Sequence, residues 1–244
     1  MTDGLLVRAA SVLRVFSSTR PSLTLTEICA LAGLPRSTTQ RLLMQLLDVG
    51  LLTRADDRYT ISTALWEIGE LAPVSLNLRE RALPYLNRLY EATGENVHLA
   101  VLDGFDALYV ARVVGPNAVP TVSRMGGRHP LHTTGVGKAL LALQNEEFLM
   151  AFFARQLEAP TMYSITSQSA LRAELEAIVR DGYSRTSQEM TLGNVSLAVP
   201  ITTGPQLPLA AVGVVTHLTR SNPSRMIPLL KKVAAEISEQ LRDG

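Results

Sequence analysis

The sequence predicts an α+β chain in two parts: a small helical head closed by a β-hairpin, then a larger part in which helices flank a mostly antiparallel sheet. Three observations carry that reading. Two short amphipathic helical segments flank Gly33-Leu34-Pro35 and are followed by paired strand-like runs. After Gly94 the apolar rhythm changes from helical spacing to strand alternation. The chain then closes on a long amphipathic segment, about Asn222 to Leu241, with Met226, Leu229, Leu230, Val233 and Ile237 on one side.

A length of 244 residues is enough for two domains, and 46% hydrophobic content supports real cores. The formal net charge of +1 excludes a general polycationic surface. Affinity for nucleic acid would therefore rest on local arginines and on doubling in a dimer. The one cysteine, Cys29, rules out an intrachain disulfide or a cysteine zinc cluster, and is expected as a buried small residue. The start, Met1-Thr2-Asp3-Gly4, lacks a basic segment leading into an apolar stretch, and no apolar run reaches membrane-spanning length. The expectation is a soluble cytoplasmic protein with no membrane partner.

In the head, residues 1–62, the first helix runs from Leu6 to Phe16, with Leu6, Ala9, Ala10, Leu13 and Phe16 on one stripe. Ser17 to Pro21 ends it. Thr24 then suits an N-cap, and Glu27 three residues on completes a capping box. Ile28, Leu31 and Ala32 face inward, Gly33 suits the sharp turn, and Pro35 fixes the entrance to the next helix. That helix carries Ser37, Gln40, Arg41 and Gln45 on one face and Leu42, Leu43, Leu46 and Leu47 on the other, and ends near Val49-Gly50. Leu51 to Arg54 and Arg58 to Ile61 read as strands around a turn at Ala55-Asp56-Asp57.

An ordinary helical hairpin explains the helix pair taken alone. The strands after it favour a winged helix-turn-helix whose polar face enters a major groove. On that reading Arg36 and Arg41 contact phosphates or base edges, with Ser37, Thr38 and Gln40 near the helix start and Gln45 further along. Arg54 and Arg58 serve the wing, and Arg8, with Arg14, adds phosphate contacts from the first helix. Asp56 and Asp57 at the wing tip oppose deep insertion there.

Residues 63–94 read as a helical linker able to hold paired heads apart. Its first helix, Thr63 to Ala72, is expected to pack Trp66 among Leu65, Ile68 and Leu71, a contact with DNA being the other reading. Its second begins near Leu76, ends at Gly94, and is kinked or broken at Pro84.

Residues 95–244 form the larger domain. Asn96–Leu102 and Ala107–Val114 are adjacent antiparallel strands about Asp103-Gly104, and Val119–Arg124 adds another. Helices follow at Gly137–Leu143, Glu146–Phe153 and Leu171–Asp181, then strands at Tyr183–Glu189, Val195–Ile201 and Leu209–Thr216. The segment Leu131 to Ala139 lacks the full glycine spacing of a phosphate loop and the hydroxyl residue after Lys138, so nucleotide hydrolysis is not expected. Gly135 and Gly137 permit close approach of a small molecule, and a plain structural turn explains them equally well. Glu189, Asn194 and Ser196 converge on a pocket if the Leu192-Gly193 turn folds over it; a solvated connection is the other reading. His98, His129, His132 and His217 are too scattered for zinc, and no Gly-x-Ser-x-Gly elbow is present. Neither a cofactor nor an enzymatic activity is expected.

Taken in order, four stretches resemble the IclR family of bacterial transcriptional regulators over nearly all of Leu6 to Leu241. They are Arg8-Ala9-Ala10-Ser11-Val12-Leu13; Leu34-Pro35-Arg36-Ser37-Thr38 with Arg41-Leu42-Leu43 through Gly50-Leu51; Leu131-His132-Thr133-Thr134-Gly135-Val136-Gly137-Lys138-Ala139-Leu140-Leu141-Ala142; and Asp181-Gly182-Tyr183 with Glu189, Leu192-Gly193 and Ala198-Val199-Pro200-Ile201. The resemblance implies a winged DNA-binding domain, an effector domain similar to the GAF fold, and homodimers or dimers of dimers on double-stranded operator DNA. Carried onto this chain, the effector loop is Leu131 to Gly137, with Leu131, His132, Thr134, Gly135 and Val136. It is opposed by Ser187, Glu189, Asn194 and Ser196 and by a later strand near Gly213. Ser187 stands in a stretch often acidic in the family, and Ser196 where many members have cysteine. The function implied is a sequence-specific regulator, a repressor modulated by a small-molecule effector. An activator is the alternative; an enzyme or a protein-interaction scaffold is less favoured because nucleophile and metal constellations are missing.

Overall fold

The computed structural model describes residues 4–115, 119–121 and 123–242, and of Ser75 and Leu76 the backbone alone. The expectation for the extreme start, Met1 to Asp3, lies outside the described residues. The chain divides into two compact units, Met1–Ala72 and Pro73–Gly244.

In the first unit, α1 (Leu5–Arg14) precedes a short strand β1 (Ser22–Thr24), and α2 (Leu25–Ala32) starts on Thr24. The capping box forms as the spacing requires: the Thr24 hydroxyl accepts from the Glu27 amide, and the Glu27 carboxylate accepts from the Thr24 amide at 2.7 Å. Those bonds, the Thr24 amide first, hold the Glu27 carboxyl below its ordinary range, with the Arg58 charge a smaller contributor. Gly33 closes α2 at φ 64°, a left-handed conformation that a side chain disfavours. Helix α3 (Arg36–Asp48) follows, then β2 (Leu52–Ala55) and β3 (Arg58–Ile61). β1 and β2 flank β3 in an antiparallel sheet, so the hairpin has a third strand that sequence patterning missed. Val12, Leu23, Ile28, Leu42, Leu43, Leu46, Leu52 and Tyr59 make the core.

Helix α4 (Thr63–Glu70) corrects one expectation. Trp66, Ile68 and Leu71 are 65%, 62% and 70% exposed, and no residue of α4 is buried. The apolar spacing of this helix therefore does not serve the core of its own unit. Cys29 is likewise half-buried rather than fully buried.

The second unit begins with a π-helical stretch, Val74–Arg79, continuous with α5 (Glu80–Thr93). The helix does not break at Pro84. The irregularity lies in the π-helical stretch, which ends just before Glu80, the residue whose carbonyl would have bonded a Pro84 amide. Six strands follow in the order β6-β5-β4-β9-β8-β7, every pairing antiparallel. They are β4 (Asn96–Asp103), β5 (Asp106–Val113), β6 (Arg128–Pro130), β7 (Ser184–Ser187), β8 (Asn194–Ile201) and β9 (Ala210–His217). Helices α6 (Gly135–Leu141), α7 (Glu146–Phe153) and α8 (Gln168–Asp181) lie between β6 and β7, and α9 (Pro223–Arg242) ends the chain. The strand expected over Val119–Arg124 does not form: among its described residues none is strand, Val122 lies outside them, and the edge is supplied by Arg128–Pro130.

Strand alternation splits this sheet into two faces. Val97, Leu99, Val101, Leu197, Val199, Val212 and Val214 pack against α5 and α9 through Leu86, Leu89, Leu230 and Ile237. Ala100, Tyr109, Ala198 and Ala211 face α6, α7 and α8 through Val136, Leu140, Phe152 and Leu175. Small residues on this second face let α6 sit close. A Cβ on Gly213 would stand 3.0 Å from both Ala198 Cβ and Val136 Cγ1, and one on Gly135 only 2.4 Å from Ser196 Oγ. Among the described residues, no helix is long and apolar enough to cross a membrane.

Candidate recognition helix and effector cavity

In the first unit the sequence-selected residues gather on one exposed face of α3. Arg36, Ser37, Gln40, Arg41 and Gln45 are exposed and Thr38 is half-buried, while Thr39, Leu42, Leu43 and Leu46 are buried beneath them. No side chain caps the start of α3, so its first-turn amides can serve an anionic group. Thr39 donates to the Pro35 carbonyl at 3.1 Å, anchoring the same turn from below. Arg36 reaches Thr26 Oγ1 at 3.3 Å.

The hairpin arginines are more committed. Arg54 donates to the Asp56 carbonyl at 2.7 Å and lies over the Tyr59 ring. Arg58 donates to Ser22 Oγ at 3.0 Å and to the Ser22 carbonyl at 2.6 Å, and pairs with Glu27 at 3.5 Å. It thus clamps β1 and the capping box to β3. Arg8 is half-buried and Arg14 exposed, both on α1 rather than on α3. Residues 4–62 hold seven arginines, no lysine and four acidic residues, a local positive excess that the whole-chain charge conceals.

On the α6 face of its sheet the second unit has a half-open cavity of about 440 Å³, a figure that includes the space open to solvent at its mouth. Five of the ten sequence-selected effector residues line it: Thr134, Gly135, Glu189, Asn194 and Ser196. The others do not. Leu131 and Val136 are buried in the apolar cluster under α6, and Gly213 is the packing seat for Val136. His132 is buried and bonds the Glu158 carbonyl through Nε2 at 2.8 Å, and Ser187 sits on β7 outside the wall.

Sequence reasoning missed the far wall, formed by His98, Tyr109, Thr121, Ser123 and His129. His98 Nε2 is 3.0 Å from Ser123 Oγ, which is 2.9 Å from Thr121 Oγ1. The His98 and His129 rings each meet Tyr109 edge-on, with centroids 5.3 and 5.1 Å away. Burial, then the nearby Arg112 charge, pushes the His98 pKa down to about 3. It is therefore a neutral ring at any physiological pH, a hydrogen-bonding group rather than a cation. Burial raises the Tyr109 hydroxyl, opposed by its bond to Thr134. Thr134 also caps α6, accepting from the Gly137 amide at 3.2 Å while donating to the Pro130 carbonyl at 3.1 Å.

Residues 188–193 carry Glu189, Met190 and Thr191 over the cavity. The Glu189 carbonyl accepts from Ser164 Oγ at 2.7 Å, and Gly193 donates to Gln188 Oε1 at 3.0 Å. Gln188 itself holds φ 60°, a left-handed conformation uncommon for a side-chain-bearing residue. The wall is thus rich in hydroxyls and rings, with Glu189 as its carboxylate among the described residues. Among the described residues, no group of three histidines, cysteines or carboxylates is placed to hold a metal ion.

Against known proteins, residues 71–239 match the family model for the C-terminal part of the bacterial transcriptional regulator IclR, and residues 5–56 match the IclR helix-turn-helix domain. The HTH-type transcriptional regulator XynR of Escherichia coli is 31% identical over 87% of this chain and 86% of its own. The Pca regulon regulatory protein of Pseudomonas putida is 29% identical over 97% and 83%. Among solved structures, an IclR homolog from Microbacterium hydrocarbonoxydans complexed with 4-hydroxybenzoate superposes with a TM-score of 0.92. It is 29% identical, and the match covers 99% of this chain and 100% of that one.

Proposed function

The chain belongs to the IclR family, DNA-binding regulators with an effector domain rather than enzymes, and we propose that it represses a neighbouring operon until a small hydroxylated aromatic acid fills its cavity. The observation that carries the DNA half is the exposed Arg36–Gln45 face over a buried leucine underside. Arg36 and Arg41 meet phosphates or guanine edges, Ser37, Thr38 and Gln40 read near the helix start, and Gln45 extends the contact. Arg54 touches the backbone from the hairpin, and Arg8 adds a phosphate contact. Arg58 contributes mainly by holding the hairpin in place.

Two heads act together on a palindromic operator, paired through the exposed apolar residues Leu6, Trp66 and Leu71, which are 82%, 65% and 70% exposed in the single chain. Residues 1–62 form the reading head, 63–94 the connecting helices and 95–244 the sensor. The effector class rests on the cavity wall, where aromatic and hydroxyl groups combine, and on the 4-hydroxybenzoate held by the similar Microbacterium hydrocarbonoxydans protein. Bound effector shifts the population of DNA-competent arrangements by its differential affinity for them.

The test is capture of genomic fragments by the full-length protein at low salt, followed by titration of the captured duplex with and without 4-hydroxybenzoate. Retention that weakens with salt and with the acid supports the proposal. Retention of no fragment at low salt overturns the operator half, and retention indifferent to the acid overturns the effector half.

A further inference from the structure

Every residue of α6 is buried, and all but one are small or apolar. The exception is Lys138, whose side chain is 0% exposed. An ammonium buried this completely costs more than the methionine or leucine that would fill the same space, unless its partners compensate. Its partners are two carboxylates: Glu174 on α8, 37% exposed, and Glu189 on the cavity wall, 5% exposed. Lys138 Nζ donates to Glu189 Oε1 at 2.9 Å and lies 2.8 Å from Oε2. Lys138 is itself absent from the wall, so it grips Glu189 from behind. The Glu189 backbone is fixed independently, its carbonyl accepting from Ser164 and from Thr161.

We propose that Lys138 sets what the cavity accepts at its β7–β8 end: it holds Glu189 as an ionised acceptor, so that end takes a hydroxyl of the effector and excludes a carboxylate. This deepens the effector-site reading above and rests on it. Burial, the largest influence, raises the Glu189 carboxyl above its ordinary range, and the charge and hydrogen bond of Lys138 are the largest influences against that rise, with the Ser187 backbone a smaller one. Glu174 acts in the reverse sense, and the His132 ring is itself lowered, chiefly by its own burial.

Sheet order supplies the other end. His98 on β4, Tyr109 on β5 and His129 on β6 lie on strands that β9 and β8 separate from β7, the strand that leads into the Glu189 turn. Arg112, the cross-strand partner of His98, places its positive field there. A carboxylate is favoured at that end and a hydroxyl at the Glu189 end. The cavity is therefore polar along its length and orients a ligand that carries both groups.

The test uses the full-length protein as wild type, Glu189→Gln, Lys138→Met and the double variant Lys138→Met/Glu189→Gln, which removes both charges together and keeps the buried site neutral if the single lysine variant does not fold. Infrared difference spectra at pH 7 between wild type and Glu189→Gln should show carboxylate bands. A protonated-acid carbonyl band in wild type overturns the proposal. Where Lys138→Met folds, that band should appear in it and vanish in the double variant; its absence overturns the proposal as well. Calorimetry against 4-hydroxybenzoate, benzoate and terephthalate reads the specificity. Wild type should favour 4-hydroxybenzoate over terephthalate by about tenfold or more, and the double variant should lose that preference. Equal preference in both proteins overturns the assignment. If none of the three acids binds wild type, the effector class falls, and the infrared result still decides whether Lys138 fixes the charge of Glu189.

Discussion

The two units solve opposite problems with the same amphipathic rule. The head turns its chemistry outward: α3 buries Leu42, Leu43 and Leu46 and shows Arg36, Gln40 and Arg41 to solvent. The larger unit turns its chemistry inward, into a space floored by β-strands and roofed by α6 and residues 188–193. An outward face needs only one helix of the right period. An inward one needs side chains from strands far apart in the chain, and it needs each buried charge to be answered, as Lys138 answers Glu189.

That difference can be broken or sharpened by substitution. The largest effect is expected from Lys138→Ala, which leaves the buried Glu189 carboxylate without its cation and should cost the second unit about 3–5 kcal/mol. The chain's one tryptophan, Trp66, lies in the first unit. Denaturation followed by far-ultraviolet circular dichroism should therefore shift while Trp66 fluorescence keeps its midpoint; equal shifts in both would show that the units are not separate in stability.

Next comes acid. His98 titrates near 6.5 when unfolded and at about 3 when folded, so between those values the unfolded chain binds more protons. Stability is full above pH 6.5 and should fall by about 1.4 kcal/mol for each pH unit below it, down to about pH 3. In His98→Gln, urea midpoints measured across that window should fall less steeply than in wild type, and an unchanged slope would remove His98 as the cause. Gly135→Ala is a milder disturbance. Its Cβ would stand 2.4 Å from Ser196 Oγ, so the roof must shift, at about 1–3 kcal/mol to the second unit. Effector binding by calorimetry should weaken while operator affinity without effector stays as in wild type. The smallest effect belongs to the head: Thr24→Ala removes the α2 cap and should cost about 1 kcal/mol, read as an earlier loss of Trp66 fluorescence.

The same contrast explains what the sequence made legible. The capping box, Gly33 turn and leucine underside of α3 are local patterns, and each formed where its spacing placed it. β1 escaped notice because three residues after Pro21 are too short to show alternation. In the second unit, the strand periods were readable, but which face held a cavity was not. Asn96 and His98 were the available clue, two polar residues on one side of a strand whose other side is Val97, Leu99 and Val101. Leu131, His132 and Val136 drew attention through the motif around them, and Gly213 through the strand opposing it, yet Leu131, Val136 and Gly213 pack under α6 and His132 bonds the Glu158 carbonyl. Tyr109 and His129 became neighbours only through the pairing of β5 with β6. Trp66 misled for the opposite reason, since helical apolar spacing marks a face to be covered without saying by what.

Fluorescence anisotropy of a captured operator fragment, titrated with wild type and with Arg36→Ala/Arg41→Ala, tests the account at its centre. Each lost contact is worth about 1–3 kcal/mol, so the double variant should bind at least about tenfold more weakly, with an unchanged melting curve and a shallower dependence on salt. Wild-type affinity in a well-folded double variant would show that the exposed face of α3 does not read the duplex.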